Sequence, residues 1–290
     1  MIDRTPLVTT HVALEQHYNA RAAVPDHPHI FARWIQDSIA ARARYKALTD
    51  IRYGDSPAMI LDVYRPEGAS DCPVLVYLRG GYWQGGSKSM YGFFVGPYLD
   101  AGAMVVIPDY DLCPAVAVGD ITAEIQACLV WLGEHLTTIG GDPDRVHLVG
   151  HSAGGHLVAE MMATDWPAHD PALPRQYIRS GLAISGLFDL APLIPTSMNA
   201  ALGLTEATAS ANSPVLKTPP VTAPLGLIAG GAEPGEFHRQ NDLLMAAWAP
   251  AGMPITHLFS PKTNHFTVVD TLSDPLSPSA EWLLHQLEQN

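Results

Sequence analysis

The chain has 290 residues, 47% hydrophobic and 16% charged, enough to bury a large core in one undivided domain, 1–290. Its formal net charge of −13, with no basic run anywhere, argues against nucleic acid and anionic membrane surfaces as partners, because phosphate binding needs clustered Lys and Arg.

At the N-terminus, MIDRTPLVTTHVALEQ lacks the basic start and continuous apolar stretch of a signal peptide. No later apolar run approaches the roughly 20 residues of a membrane span, so a cytoplasmic protein is expected. Residues 11–48 read as helical material broken at VPDHP by two prolines. Within IFARWIQDSIAARARY, the helical spacing of Phe31, Trp34, Ile35 and Ile39 predicts one face docked on a core. The runs MILDVYRP (59–66), CPVLVYLRG (72–80) and AMVVIPDY (103–110) are short, apolar and bounded by Gly, Pro and Asp, as buried strands are. A helix over 119–137 stops at GGDPDR, a glycine stop followed by a proline turn. Further strands follow at 146–150, 179–186, 223–231 and 255–261, with helices at 153–164, 237–250 and 277–288. This alternation predicts an α/β fold with a mostly parallel central sheet and helices on both faces. The proline-rich stretch 190–220 is the least regular and, with the N-terminal helical segment 1–48, is expected to form a small cap. Cys72, Cys113 and Cys128 are odd in number and lack CxxC spacing, so buried thiols are expected rather than disulfides or a zinc site.

The chemistry concentrates in VHLVGHSAGGHLVAEMMA, a strand, then Gly150-His151-Ser152-Ala153-Gly154, then a helix. A serine on so sharp a turn needs small residues two positions away on either side, and glycine fills both. The turn aims the following helix N-terminus at Ser152 Oγ, where backbone N–H groups can meet developing negative charge. A serine hydroxyl needs a general base, itself oriented by a carboxylate, and in this architecture the order along the chain is Ser, acid, His. His265, in SPKTNHFTVVD after the strand ending near Ser260, fits the last place. His285 lies within the terminal helix, and His151 and His156 flank the serine too closely to swing onto it. Neither makes an HExxH pattern, so no metal is assigned, and no cofactor. For the acid, Glu233 stands just past a strand, with Glu236 as second candidate and Asp189 as third. The glycine-rich loop YLRGGYWQGG (77–86) follows the strand expected beside the serine strand, which makes Gly81 and Tyr82 candidate oxyanion donors together with Ala153. Tyr82 and Trp83, some of Tyr91, Phe93 and Phe94, and Arg79 are candidate lining for a substrate pocket.

Taken with NARAAVPDHP, LDVYRP, GGYWQ, IPDYDLCP, GHSAGGH, SGLFDL, EFHRQ and NHF, these residues resemble the α/β-hydrolase family, more narrowly its arylformamidase (kynurenine formamidase) group beside the hormone-sensitive-lipase-like esterases. The resemblance implies a serine hydrolase of small esters or aryl formamides with Ser152, Glu233 and His265 as triad and Gly81, Tyr82 and Ala153 as oxyanion hole. It implies a small-molecule ester or amide as partner and leaves the oligomeric state open. The family pattern His-Gly-Gly-x-Trp is broken here by Arg79, which could bond loop carbonyls, pair with a carboxylate such as Asp109, or meet an anionic substrate group. A ligand-binding protein on the same scaffold is the alternative of a different class.

Overall fold

A computed structural model describes residues 2–68 and 70–289. Its strands are β1 Leu48–Arg52, β2 Ile60–Tyr64, β3 Cys72–Leu78, β4 Met104–Pro108, β5 Gly141–His151, β6 Ile178–Ile184, β7 Leu225–Gly230 and β8 Ile255–Ser260. They form one sheet of eight in the order β1-β2-β4-β3-β5-β6-β7-β8. The β1–β2 and β2–β4 pairings are antiparallel and every other pairing is parallel. This is the mostly parallel, helix-covered sheet that the alternating pattern predicts. Side chains alternate across it: on β3, Val74, Val76 and Leu78 enter one core and Leu75 and Tyr77 the other. The helix Val118–Ile139 supplies Ile121, Ile125, Leu129 and Leu132 to the first core, and the helix Pro278–Glu288 supplies Leu283 and Leu287 to the second. All three cysteines are free and buried.

Three local expectations change. The strand β1 was not anticipated; LTDIR has no apolar run, and it forms an edge strand none of whose residues is fully buried. The proline turn at 142–145 does not precede β5 but bulges out of it: Gly141 pairs with Cys72, while Val146 pairs with Val74. Asp142 ties off the bulge by accepting from Asp144 N–H at 2.9 Å and Arg145 Nε at 2.6 Å. In the helix His27–Arg44 the buried residues are Ile30, Trp34 and Ser38, while Ile35 and Ile39 are exposed. Trp34 sets that face by donating to Asp270 Oδ1 at 2.6 Å and stacking on Phe93. No helix among the described residues is long and apolar enough to cross a membrane.

Candidate active site

At the end of β5 the chain turns through Ser152, whose φ of 56° and ψ of −117° are a strained conformation for a side-chain-bearing residue, and enters the helix Ala153–Met162. The glycines on either side are sterically required. A Cβ on Gly150 would lie 2.2 Å from Gly154 O, and one on Gly154 only 1.8 Å from Leu78 O. Ser152 N–H donates to Ile184 O at 2.8 Å, which pins the turn to β6. Ala153, first residue of the helix, has no intrahelical acceptor for its N–H.

Ser152 and His265 line one pocket of about 420 Å³ that also meets Phe31, Trp34, Tyr82 and Tyr91, with Arg21 as its formally charged side chain. His265 Nδ1 donates to Glu233 Oε2 at 2.6 Å; a carboxylate only accepts, so Nδ1 carries a proton and Nε2 is the ring nitrogen this bond leaves free. Glu233 is itself fixed, its other oxygen accepting from Ser185 Oγ at 2.5 Å and Gly230 N–H at 2.6 Å. Nothing in the local sequence SGLFDL singles out Ser185, because its partner Glu233 lies 48 residues further on. His151 touches the histidine rather than the serine: its Nε2 donates to His265 O at 2.7 Å, and the two rings stand 4.7 Å apart. Burial and the neighbouring His265 hold His151 well below the usual histidine range, so it stays neutral.

The other two acid candidates point elsewhere. Glu236 accepts from Tyr18 Oη at 2.7 Å and Leu7 N–H at 2.5 Å, and pairs with Arg239; Asp189 pairs with Arg4 at 2.5 Å.

The loop after β3 runs through three consecutive left-handed residues: Gly81 (φ 118°), Tyr82 (φ 52°) and Trp83 (φ 54°). Such a conformation costs about 1–2 kcal/mol for each non-glycine residue. Gly81 could carry no Cβ, which would lie 2.1 Å from Gly85 O, and Gly80 is pressed within 3.1 Å of Ser152 Cβ by the same measure. Two of the expected pocket residues do not line it. Trp83 is turned inward by its left-handed backbone, fully buried with its ring 5.0 Å from His156. Arg79 is buried behind the loop, where Nε donates to Asp109, the two terminal nitrogens donate to Gly85 O and Tyr110 O at 3.0 Å each, and the guanidinium lies 3.8 Å over the Tyr110 ring. Burial opposes the charge, but Tyr110 and Asp109 outweigh it and hold the guanidinium above its ordinary pKa. Of the other aromatics, Tyr91 reaches the pocket, Phe93 stacks on Trp34 and Phe94 packs on Tyr77 and Tyr98. The 190–220 stretch contributes Ser197 and Met198 to the wall, and Gln84 of the loop donates to Met198 O at 2.9 Å. Among the described residues no His, Cys, Asp and Glu cluster has metal-binding geometry.

A serine on a glycine-flanked strand–helix elbow, with a carboxylate-bonded histidine from a later strand end, on a mostly parallel sheet, defines an α/β-hydrolase. Comparison with known proteins narrows the class. Residues 61–175 match the BD-FAE family. The chain is 32% identical over 240 residues to the kynurenine formamidase of Danio rerio, covering 81% of this chain and 80% of that protein. It is equally similar, at 32% over 241 residues, to that of Salmo salar, with the same shares covered. The crystal structure of a putative thioesterase from Silicibacter sp. TM1040 superposes with a TM-score of 0.82 at 30% identity, covering 95% of this chain and 99% of that one. Esterase B from Lactobacillus rhamnosis, at 20% identity and a TM-score of 0.67, shares the fold. The chain belongs to the arylformamidase-like family of α/β-hydrolases, and the protein is a hydrolase.

Proposed function

We propose that the protein hydrolyses a small carboxylic ester or an aryl formamide through an acyl-enzyme on Ser152. The observation that carries this reading is the Nδ1–H of His265 bonded to Glu233 at 2.6 Å, in a pocket shared with Ser152. Ser152 Oγ attacks the acyl carbon and its proton passes to His265 Nε2, while Glu233 stabilises the imidazolium. The N–H groups of Gly81, Tyr82 and Ala153 stabilise the tetrahedral oxyanion. On collapse the C–O or C–N bond breaks and His265 returns the proton to the leaving alcohol or amine. Water, activated by the same histidine, then cleaves the acyl ester. The aromatic wall of Phe31, Trp34 and Tyr91 suits an aryl leaving group, and the kynurenine formamidase relatives favour the formamide. A non-catalytic ligand-binding role gains nothing from Arg79, whose side chain bonds Asp109, Gly85 O and Tyr110 O behind the loop.

A fluorophosphonate probe tests the mechanism: wild-type protein is expected to label, and Ser152→Ala and Glu233→Gln to lose or strongly slow labelling. An unlabelled, well-folded wild type, or full labelling of Ser152→Ala, would overturn it. Comparing kcat/KM for a short-chain aryl ester, a long-chain ester and an N-formyl aryl amine then identifies the substrate class.

A further inference from the structure

The candidate oxyanion loop is built of conformations that side-chain-bearing residues avoid, so something outside it must hold it. Some restraints are local: Gln84 N–H donates to Gly81 O at 3.0 Å and Cys113 N–H to Trp83 O at 2.7 Å. Tyr82 itself, whose N–H would face the oxyanion, is anchored from the other end of its side chain. Its hydroxyl donates to the main-chain oxygen of Tyr18, in the N-terminal segment 64 residues earlier. Tyr18 is fully buried and is in turn fixed at its own hydroxyl, which donates to Glu236 Oε2 at 2.7 Å and accepts from Gln240 Nε2 at 2.9 Å. Glu236, also fully buried, is held by Arg239 Nε at 2.8 Å. The ring of Tyr18 lies edge-on to Phe237, whose ring is 4.5 Å from that of His265.

One residue of the N-terminal segment therefore touches both halves of the site. Its carbonyl holds the oxyanion loop, and its ring and hydroxyl rest on the helix Gly235–Trp248 that follows Glu233. We propose that Tyr18, clamped by Glu236, is a positioning residue that sets the distance of the Tyr82 N–H from the reacting carbonyl. The proposal rests on the serine-hydrolase reading and extends it by giving the N-terminal segment a part in the rate of acyl transfer. The physical basis is the steep dependence of oxyanion stabilisation on donor placement: loss of one donor costs on the order of 10²–10³ in rate, and a displacement of about 1 Å about 10². A loosened loop forfeits part of that in the transition state and little in the ground state.

Tyr82→Phe keeps the ring in the pocket wall and deletes only the bond to Tyr18. The expected result is a tenfold to hundredfold fall in kcat with KM within about threefold, and a parallel loss of affinity for an aryl trifluoromethyl ketone, which reproduces the tetrahedral oxyanion. A role in stability alone would lower the melting temperature and leave ketone affinity unchanged in the cold. Retention of kcat and ketone affinity within twofold overturns the proposal. Should Tyr82→Phe melt below the assay temperature, Glu236→Gln decides by the same criteria: a smaller loss, about threefold to tenfold, in kcat and ketone affinity supports the clamp, and no loss in either overturns it. Abolished fluorophosphonate labelling in folded Glu236→Gln also overturns it, because Glu236 would then be the triad acid. Absence of labelling in the wild type would mark failure of the hydrolase reading instead.

Discussion

Replacing Arg79 by methionine separates a brace from a substrate contact. The guanidinium serves three acceptors, Asp109, Gly85 O and Tyr110 O, at a side chain only 1% exposed. Methionine keeps much of the apolar stem but leaves the two carbonyls without that donor and Asp109 with only Ser87 Oγ and Lys88 N–H. Breaking a buried ion pair from one side costs about 3–5 kcal/mol. An unfolding entropy of about 2 cal/mol/K per residue turns this, for 290 residues, into a fall of about 5–8 °C in Tm. Releasing Gly85 O also frees the carbonyl against which Gly81 is packed, so kcat is expected to fall as well. Because the guanidinium lies behind the loop, the ratio of kcat/KM for a carboxylate-bearing ester to that for its neutral analogue should not change. Differential scanning calorimetry and paired esterase assays read both quantities. A Tm within 2 °C of wild type would refute the brace, and a selective loss on the anionic ester would restore the substrate contact.

Gly154→Ala should abolish fluorophosphonate labelling or slow it at least a hundredfold, since the added Cβ would sit 1.8 Å from the backbone oxygen of Leu78 and must push the elbow off β3; labelling at the wild-type rate would contradict the steric account. Stability should fall in mild acid: burial, then Arg179 and Arg145, hold His147 down to about 4 against 6.5 unfolded, so the unfolded chain binds the extra proton and stability present above pH 6.5 is lost as pH drops toward 4. Within that window His147→Gln should flatten the pH slope of the unfolding free energy by about one proton, about 1.4 kcal/mol per pH unit, measured by urea titration at pH 7, 6 and 5; an unchanged slope would count against it.

The parts of the site dictated by local sterics could be read in the sequence. Glycines at 150 and 154 leave the serine turn almost no alternative, and the apolar runs of β3 to β7 mark a buried parallel sheet. Glu233 likewise lies nearer its strand end than Glu236, and it is Glu233 that bonds His265. What stayed hidden depends on long-range packing. Glu236 and Tyr18 are 218 residues apart, and a glutamate in a first helical turn looks like an ordinary dipole partner. Trp83 and Arg79 looked like pocket residues because they adjoin Tyr82, yet the left-handed backbone at 81–83 and the carboxylate of Asp109 send them inward. The edge strand β1 carries Asp50 at a positive φ and exposed polar residues, so no period-2 pattern marks it.

Arg79 also bears on how the site responds to acidity. A histidine at that position would titrate in the range where hydrolases work, and the shape of the loop could follow its protonation. A guanidinium keeps its charge throughout, so this brace on the loop of Gly81 and Tyr82 does not itself change with pH. His151, neutral beside His265, adds no second proton to the pocket. The brace behind the candidate oxyanion loop is thus a fixed charge shared among three acceptors, whatever protons the pocket gains in acid.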